Sequence, residues 1–133
     1  MRYPSLLDVI RLHDRYVQMF GGSLGIRDSN LLDSAVSRCQ ASFGGEDLYD
    51  TVFDKAAAMF PGILFDHPFV DGNKRTALFS AVRFLFINGH EFVATNLEAE
   101  EFPIIVEKTR PPISEIAKWF KSHCRKIKKG KTK

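Results

Sequence analysis

Between Thr76 and Ile87 the chain offers almost nothing to water: Ala77, Leu78, Phe79, Ala81, Val82, Phe84, Leu85, Phe86 and Ile87 are interrupted only by Ser80 and Arg83. A helix over this stretch is apolar nearly all round, so it has to be the hub of a bundle with other helices around it. Arg83 fits as an edge residue whose head reaches solvent. Asp71, Gly72 and Asn73 are turn and cap formers, and Gly89 sits where a helix stop belongs. The pattern predicts a loop that hands over to a helix at Asn73 and a helix that runs to Asn88.

The rest of the chain supplies the partners. Residues 4–20 place Leu6, Val9, Ile10, Tyr16, Val17 and Phe20 at helical spacing behind Pro4, a good first-turn residue. Gly21, Gly22 and Gly25 end that helix, and Asp28 caps a second with Leu31, Leu32, Ala35 and Val36 on one face. Residues 40–50 read as an exposed loop around Gly44 and Gly45. A third helix, residues 51–65, is apolar enough to be largely buried, with Pro61 kinking or dividing it. Residues 90–95 are a short extended piece. Thr95 and Glu98 have capping-box spacing for a further helix, in which Pro103 is a defect, and Ser114 is placed to cap the last helix. The expected fold is all-α: a single-domain bundle of about six helices around a central apolar one, spanning residues 1–122. The basic tail, residues 123–133, is expected to be disordered.

Composition bounds the function. At 133 residues with 44% hydrophobic content and twelve phenylalanines, the chain fills one core. Its net charge of +3 misleads, because residues 118–133 hold eight Lys or Arg and no acid, leaving an acidic body. The basic pI therefore belongs to the tail and argues against a nucleic-acid role. Cys39 and Cys124 lie far apart with no CxxC spacing, which suits a reducing compartment and two thiols of no special role. Charges interrupt the apolar residues of the N-terminus, and no uncharged run reaches the length of a membrane span, so we expect a cytoplasmic protein.

The residues ahead of the central helix, HPFVDGNKRTA from His67 to Ala77, are the densest in chemistry. The first turn of a helix leaves backbone N–H groups unpaired at the positive end of its dipole, and here Lys74, Arg75 and Gly72 add charge and close backbone approach. That is a site for an anion. His67 is the candidate base, since a hydroxyl nucleophile near neutral pH needs an acceptor that titrates nearby. Phe69 reads as an anchor to the core. Asp71 serves either as a helix cap or as one carboxylate for Mg2+, which takes one or two acids together with phosphate oxygens. His13, His90 and His123 lie at no informative spacing.

These residues closely resemble the Fic superfamily motif and, within it, the death-on-curing (Doc) toxins. That motif reads His, any residue, Phe, any residue, Asp or Asn, Gly or Ala, then Asn-Lys-Arg-Thr, and His67, Phe69, Asp71, Gly72, Asn73, Lys74, Arg75 and Thr76 meet every fixed position. The likeness extends through GGSLGIRDSNLLDSAV, ASFGGEDLYDTVFDKAAAMF and FLFINGHEF, about residues 20–93. It implies a kinase-like toxin that uses ATP and Mg2+ and transfers the γ-phosphate to a protein hydroxyl. His67, Asp71 and Lys74 would be catalytic; Gly72, Asn73, Lys74 and Arg75 would hold the nucleotide; Asp71 would bind the metal. Elongation factor Tu is the implied target, and a Phd-like antitoxin folding into a surface groove is the implied partner, the chain being otherwise monomeric. AMP-transferring members have glycine at the Lys74 position and a second arginine at the Leu78 position, and both marks are absent, so AMP transfer is the alternative. A non-catalytic nucleotide-binding module is another. The resemblance further implies a flap near the site, with Phe43 and Gly44 as candidates. No self-inhibitory motif is accepted, the nearest being Ser42 to Glu46.

Overall fold

The computed structural model describes residues 1–128; residues 129–133, and with them that part of the expected disordered tail, lie outside the described residues. Six α-helices make the body: α1 (Leu6–Phe20), α2 (Ser29–Ser37), α3 (Val52–Asp66), α4 (Asn73–Ile87), α5 (Asn96–Thr109) and α6 (Ile113–Ser122). Two antiparallel pairs of very short strands complete it: β1 (Ser42–Phe43) with β2 (Glu46–Asp47), and β3 (His90–Phe92) with β4 (Cys124–Lys126).

Local chemistry sets the helix ends. Ser5 with Asp8, Thr51 with Asp54 and Thr95 with Glu98 form reciprocal capping boxes at the starts of α1, α3 and α5. Asp28 caps α2 by accepting from the N–H groups of Asn30 and Leu31. Pro4 therefore stands before the cap of α1 instead of inside its first turn. Ser114 lies within α6, whose N-cap is Pro112. Both α3 and α5 run unbroken through Pro61 and Pro103. An interior proline costs about 3 kcal/mol. Burial of Phe60, Ile63 and Leu64 at full depth, at roughly 1.5–3 kcal/mol each, outweighs it.

The centre is a pair of helices. α4 lies in the core as its composition requires, but it shares that place with α3, which packs against α2, α4 and α6. The reason lies in α4 itself: Lys74, Arg75 and Arg83 are exposed and Phe79, Val82 and Phe86 only half-buried, so one flank stays open. Gly62 of α3 lets α2 approach closely, since a Cβ there would stand 2.6 Å from that of Ala35. Phe60, Phe102, Trp119 and Phe120 build an aromatic cluster joining α3, α5 and α6.

The tail boundary expected at residue 122 needs correction for the described residues. Cys124–Lys126 pair in register with Phe92–His90, and flanking bonds from Val93 N–H to the His123 carbonyl (2.7 Å) and from Ile127 N–H to the Gly89 carbonyl (2.9 Å) extend the ladder. A basic composition does not prevent order where a strand edge supplies backbone partners and Glu91 pairs with Arg125 at 3.1 Å. Among the described residues no helix is long and apolar enough to cross a membrane.

Candidate active site

α3 ends at Asp66, and His67 caps it in the left-handed conformation (φ 49°, ψ 59°), unusual for a residue with a Cβ. Arg27 holds it there: its Nε donates to the His67 carbonyl at 2.7 Å and its Nη2 donates to the Asp66 carbonyl. The same segment stitches the next residues down. The N–H groups of Arg27 and Asp28 both donate to the Pro68 carbonyl (2.7 and 3.0 Å), and Val70 N–H donates to the Gly25 carbonyl at 3.0 Å. The glycine-rich stretch after α1 is thus a bracket for the motif loop.

Phe69 is the anchor its sequence position suggests, 1% exposed. Its ring stacks on that of His13, centroids 3.8 Å apart and planes 5° from parallel. His13 is fully buried, and its Nε2 donates to the Asp71 carbonyl at 2.7 Å. A carbonyl only accepts, so Nε2 carries the hydrogen. Asn73 closes the loop from the other side: its amide accepts from Phe69 N–H and donates to the Phe69 carbonyl, each at 3.0 Å. These two bonds fix the Asn73 side chain and leave one Nδ2 hydrogen and the backbone N–H to meet an anion.

The handover to α4 passes through Gly72 at φ 76°, a left-handed position natural to glycine. Among the described residues no side chain caps α4, and Thr76 N–H returns to the Gly72 carbonyl at 3.0 Å, leaving the N–H groups of Asn73, Lys74 and Arg75 at the open end of the helix dipole. The Asp71 carboxylate sits alongside, accepting from Gly72 N–H (2.9 Å) and Ser23 N–H (3.1 Å). One bond per oxygen leaves lone pairs on both, and the residue is exposed at the cavity lining. Arg75 lies over the Phe20 ring, 4.2 Å from its centroid.

These groups line one cavity of about 690 Å³, into which His67, Asp71, Gly72, Asn73, Lys74 and Arg75 all open. A second groove of similar volume, about 710 Å³, runs along α1 and α4 and is walled by Arg2, Arg11, Arg15 and Arg83. None of the motif residues His67 to Arg75 lines it, so chemistry and not size marks the site. Neither cysteine offers a nucleophile, since burial pushes both thiols up to about 11.

Three neighbours of the motif leave no mark in the sequence. His13 and Arg27 act on the loop across long sequence separations, and only their spacing to the motif in the fold reveals them. The third is Glu107 of α5, whose carboxylate reaches both His67 and Lys74. Where a flap near the site is expected, residues 42–47 form the β1–β2 hairpin, turning at Gly44 and Gly45 with Phe43 84% exposed, and none of them lines the cavity. Ser42 to Glu46 lies in that hairpin and not in a helix.

A helical bundle that presents an exposed imidazole, a carboxylate and an uncapped cationic helix start in one cavity is a scaffold that can hold an anion beside a proton acceptor. The chain belongs to the Fic/DOC family, whose model matches residues 3–85. It is 51% identical over 75 residues to Toxin Doc of Mycolicibacterium smegmatis, covering 56% of this chain and 58% of that protein. It is 37% identical over 89 residues to Protein kinase doc of Escherichia phage P1, covering 67% of this chain and 70% of that one.

Proposed function

We propose that this chain is the toxin of a toxin–antitoxin pair and that its cavity transfers the γ-phosphate of ATP to a hydroxyl of a protein, with elongation factor Tu as the target to test first. The observation that carries the reading is the uncapped start of α4, where three N–H groups, Lys74 and Arg75 meet one half-solvated carboxylate and one exposed imidazole. The names of the two relatives, a toxin and a protein kinase, point the same way.

The division of labour follows from position. The N–H groups of Asn73, Lys74 and Arg75 would bind phosphate oxygens, with the two cations offsetting charge on the transferred group. Asp71 fits Mg2+, which takes few protein ligands and completes its shell with phosphate and water; among the described residues no cluster of three or more ligating side chains forms a closed metal cage. Bound there, the ion would neutralise phosphate charge. His67 would take the hydroxyl proton. A Phd-like antitoxin is the partner proposed for the surface around the site, and the cytoplasm the compartment.

Lys74 and Leu78 bear on the choice between phosphate and AMP transfer. Lys74 is half-exposed at the cavity and fills space that glycine would leave open, while Leu78 is buried and offers no second cation. The test is label transfer to purified elongation factor Tu and to a bacterial lysate from ATP labelled at the α- or the γ-phosphate. Label arriving from the γ position only, and lost in His67→Ala, is expected. Label from the α position would make the chain an AMP transferase, and label from neither would leave a binding module.

A further inference from the structure

Glu107 stands in the C-terminal part of α5, 33 residues beyond Lys74 and outside the motif. Its Oε2 lies 3.7 Å from His67 Nε2 and its Oε1 lies 3.4 Å from Lys74 Nζ. The carboxylate is about one-third exposed, against half for each partner. A single acid on a third helix therefore joins the base at the end of α3 to the cation at the start of α4. Neither contact serves the core, which α5 enters through Phe102, Pro103 and Val106. A glutamate that merely solubilised α5 would not need two partners drawn from two other helices.

We propose that Glu107 is a positioning residue of the phosphotransfer site, a role that rests on the function proposed above. In that reaction the substrate hydroxyl oxygen bonds to the γ-phosphorus, the bond from that phosphorus to the β,γ-bridging oxygen breaks, ADP leaves with the electron pair, and His67 takes the hydroxyl proton. Glu107 takes no part in the proton transfer and does two things. Before nucleotide arrives, it occupies Lys74 as a phosphate oxygen later would, so it opposes binding. Once His67 has taken the proton, the Glu107 carboxylate, at ion-pair distance from the ring, steadies both the cation and the ring's orientation. The same carboxylate thus weakens the ground-state complex and favours the transition state, a division that raises turnover at the expense of affinity.

Glu107→Gln is nearly isosteric, so it separates charge from shape. For a partly exposed pair the expected change is MgATP binding about two- to fivefold tighter by titration calorimetry. Turnover in the γ-phosphate assay should fall about tenfold, so that KM and kcat drop together. In a Lys74→Met background, the same replacement should leave nucleotide affinity unchanged, because the competitor no longer has anything to release. Binding and turnover in Glu107→Gln equal to wild type would overturn the role while leaving the kinase reading intact. So would an affinity gain that persists without Lys74. A wild-type protein that binds no nucleotide at all would instead remove the phosphotransfer reading, and this inference with it.

Discussion

Arg27 offers the most direct way to ask whether the site depends on how α3 ends. His67 sits in the left-handed region, a conformation that costs a residue with a Cβ about 1–2 kcal/mol. Against that cost stand two charge-assisted bonds from one guanidinium to consecutive carbonyls, with a cation at the negative end of the helix dipole. Such bonds are worth roughly 1.5–3 kcal/mol each when buried. Arg27 is exposed, so about 1–2 kcal/mol in total is the reasonable figure. The two terms nearly cancel, which makes the turn sensitive to losing either. Arg27→Met keeps the stem and removes the fork; it should lower Tm by roughly 3–7 °C in a domain of this size. Because it frees the carbonyl of the candidate base itself, the larger effect should be on turnover, down by tenfold or more from a displacement of about an ångström. Arg27→Lys, with one point charge in place of a fork, should fall between. The assay is γ-phosphate transfer at saturating MgATP, with nucleotide affinity measured alongside and expected to hold, since the start of α4 is untouched. A Met variant that loses the stability and retains full turnover would show that His67 finds its place without Arg27, and the bracket would then be structural only.

Gly62→Ala should destabilise by about 1–3 kcal/mol despite the better helix propensity of alanine, because the new Cβ meets Ala35 at 2.6 Å; denaturant melts check this, and Ala35→Gly in the same chain should restore much of the loss. Ser80→Ala should be neutral or stabilising by up to about 1 kcal/mol in the same melts, since the Ser80 hydroxyl is buried with no hydrogen-bond partner among the described residues. The Asp8 and Glu98 carboxylates accept from the N-cap N–H groups of Ser5 and Thr95, which lowers their pKa values below 3.8 and 4.5. Their contribution is therefore full above those values and lost as pH falls through the depressed ones, so stability should decline below about pH 4, and Asp8→Asn should flatten part of that decline. With both thiols raised to about 11 by burial, neither Cys39 nor Cys124 should react promptly with a thiol reagent at pH 8 in the folded protein, while both should react in denaturant.

How much of this was legible in advance depended on sequence distance. The capping box at Thr95 with Glu98, the cap at Asp28 and the handover at Asn73 are local signals, each confined to a few residues, and they stand in the structure where the spelling puts them. The apolar run of α4 correctly required burial. It did not say which side would stay open, because that depends on how far α1 and α5 reach across Phe79 and Phe86. Proline was a poor guide inside α3 and α5, where packing overrides a local penalty. The motif placed His67, Asp71, Lys74 and Arg75 around one cavity, yet the residues that hold them came from elsewhere: His13 from 58 residues upstream of Asp71, Arg27 from 40 upstream of His67, and Glu107 from α5. Such pairings leave no periodic trace in a single chain. The order of residues 124–126 was hidden for a related reason, since a lysine-rich strand looks like tail until its partner strand is known.

The β3–β4 ladder bears on how the cavity fills. β3 precedes α5 and β4 follows α6, so the two helices, including the wall that carries Glu107, form a loop fastened at both feet. Trp119 adds a bolt, stacking on Phe102 of α5 and on His123 beside β4. Swinging that wall outward as a lid would pull Phe102 and Phe120 together off the ring of Phe60 in α3. The cheaper motions are rotamer changes of Lys74, Glu107 and Arg75, which occur in nanoseconds, against microseconds or longer for collective movement of helices. Admission to this site is accordingly a matter of side chains changing partners within a fixed frame.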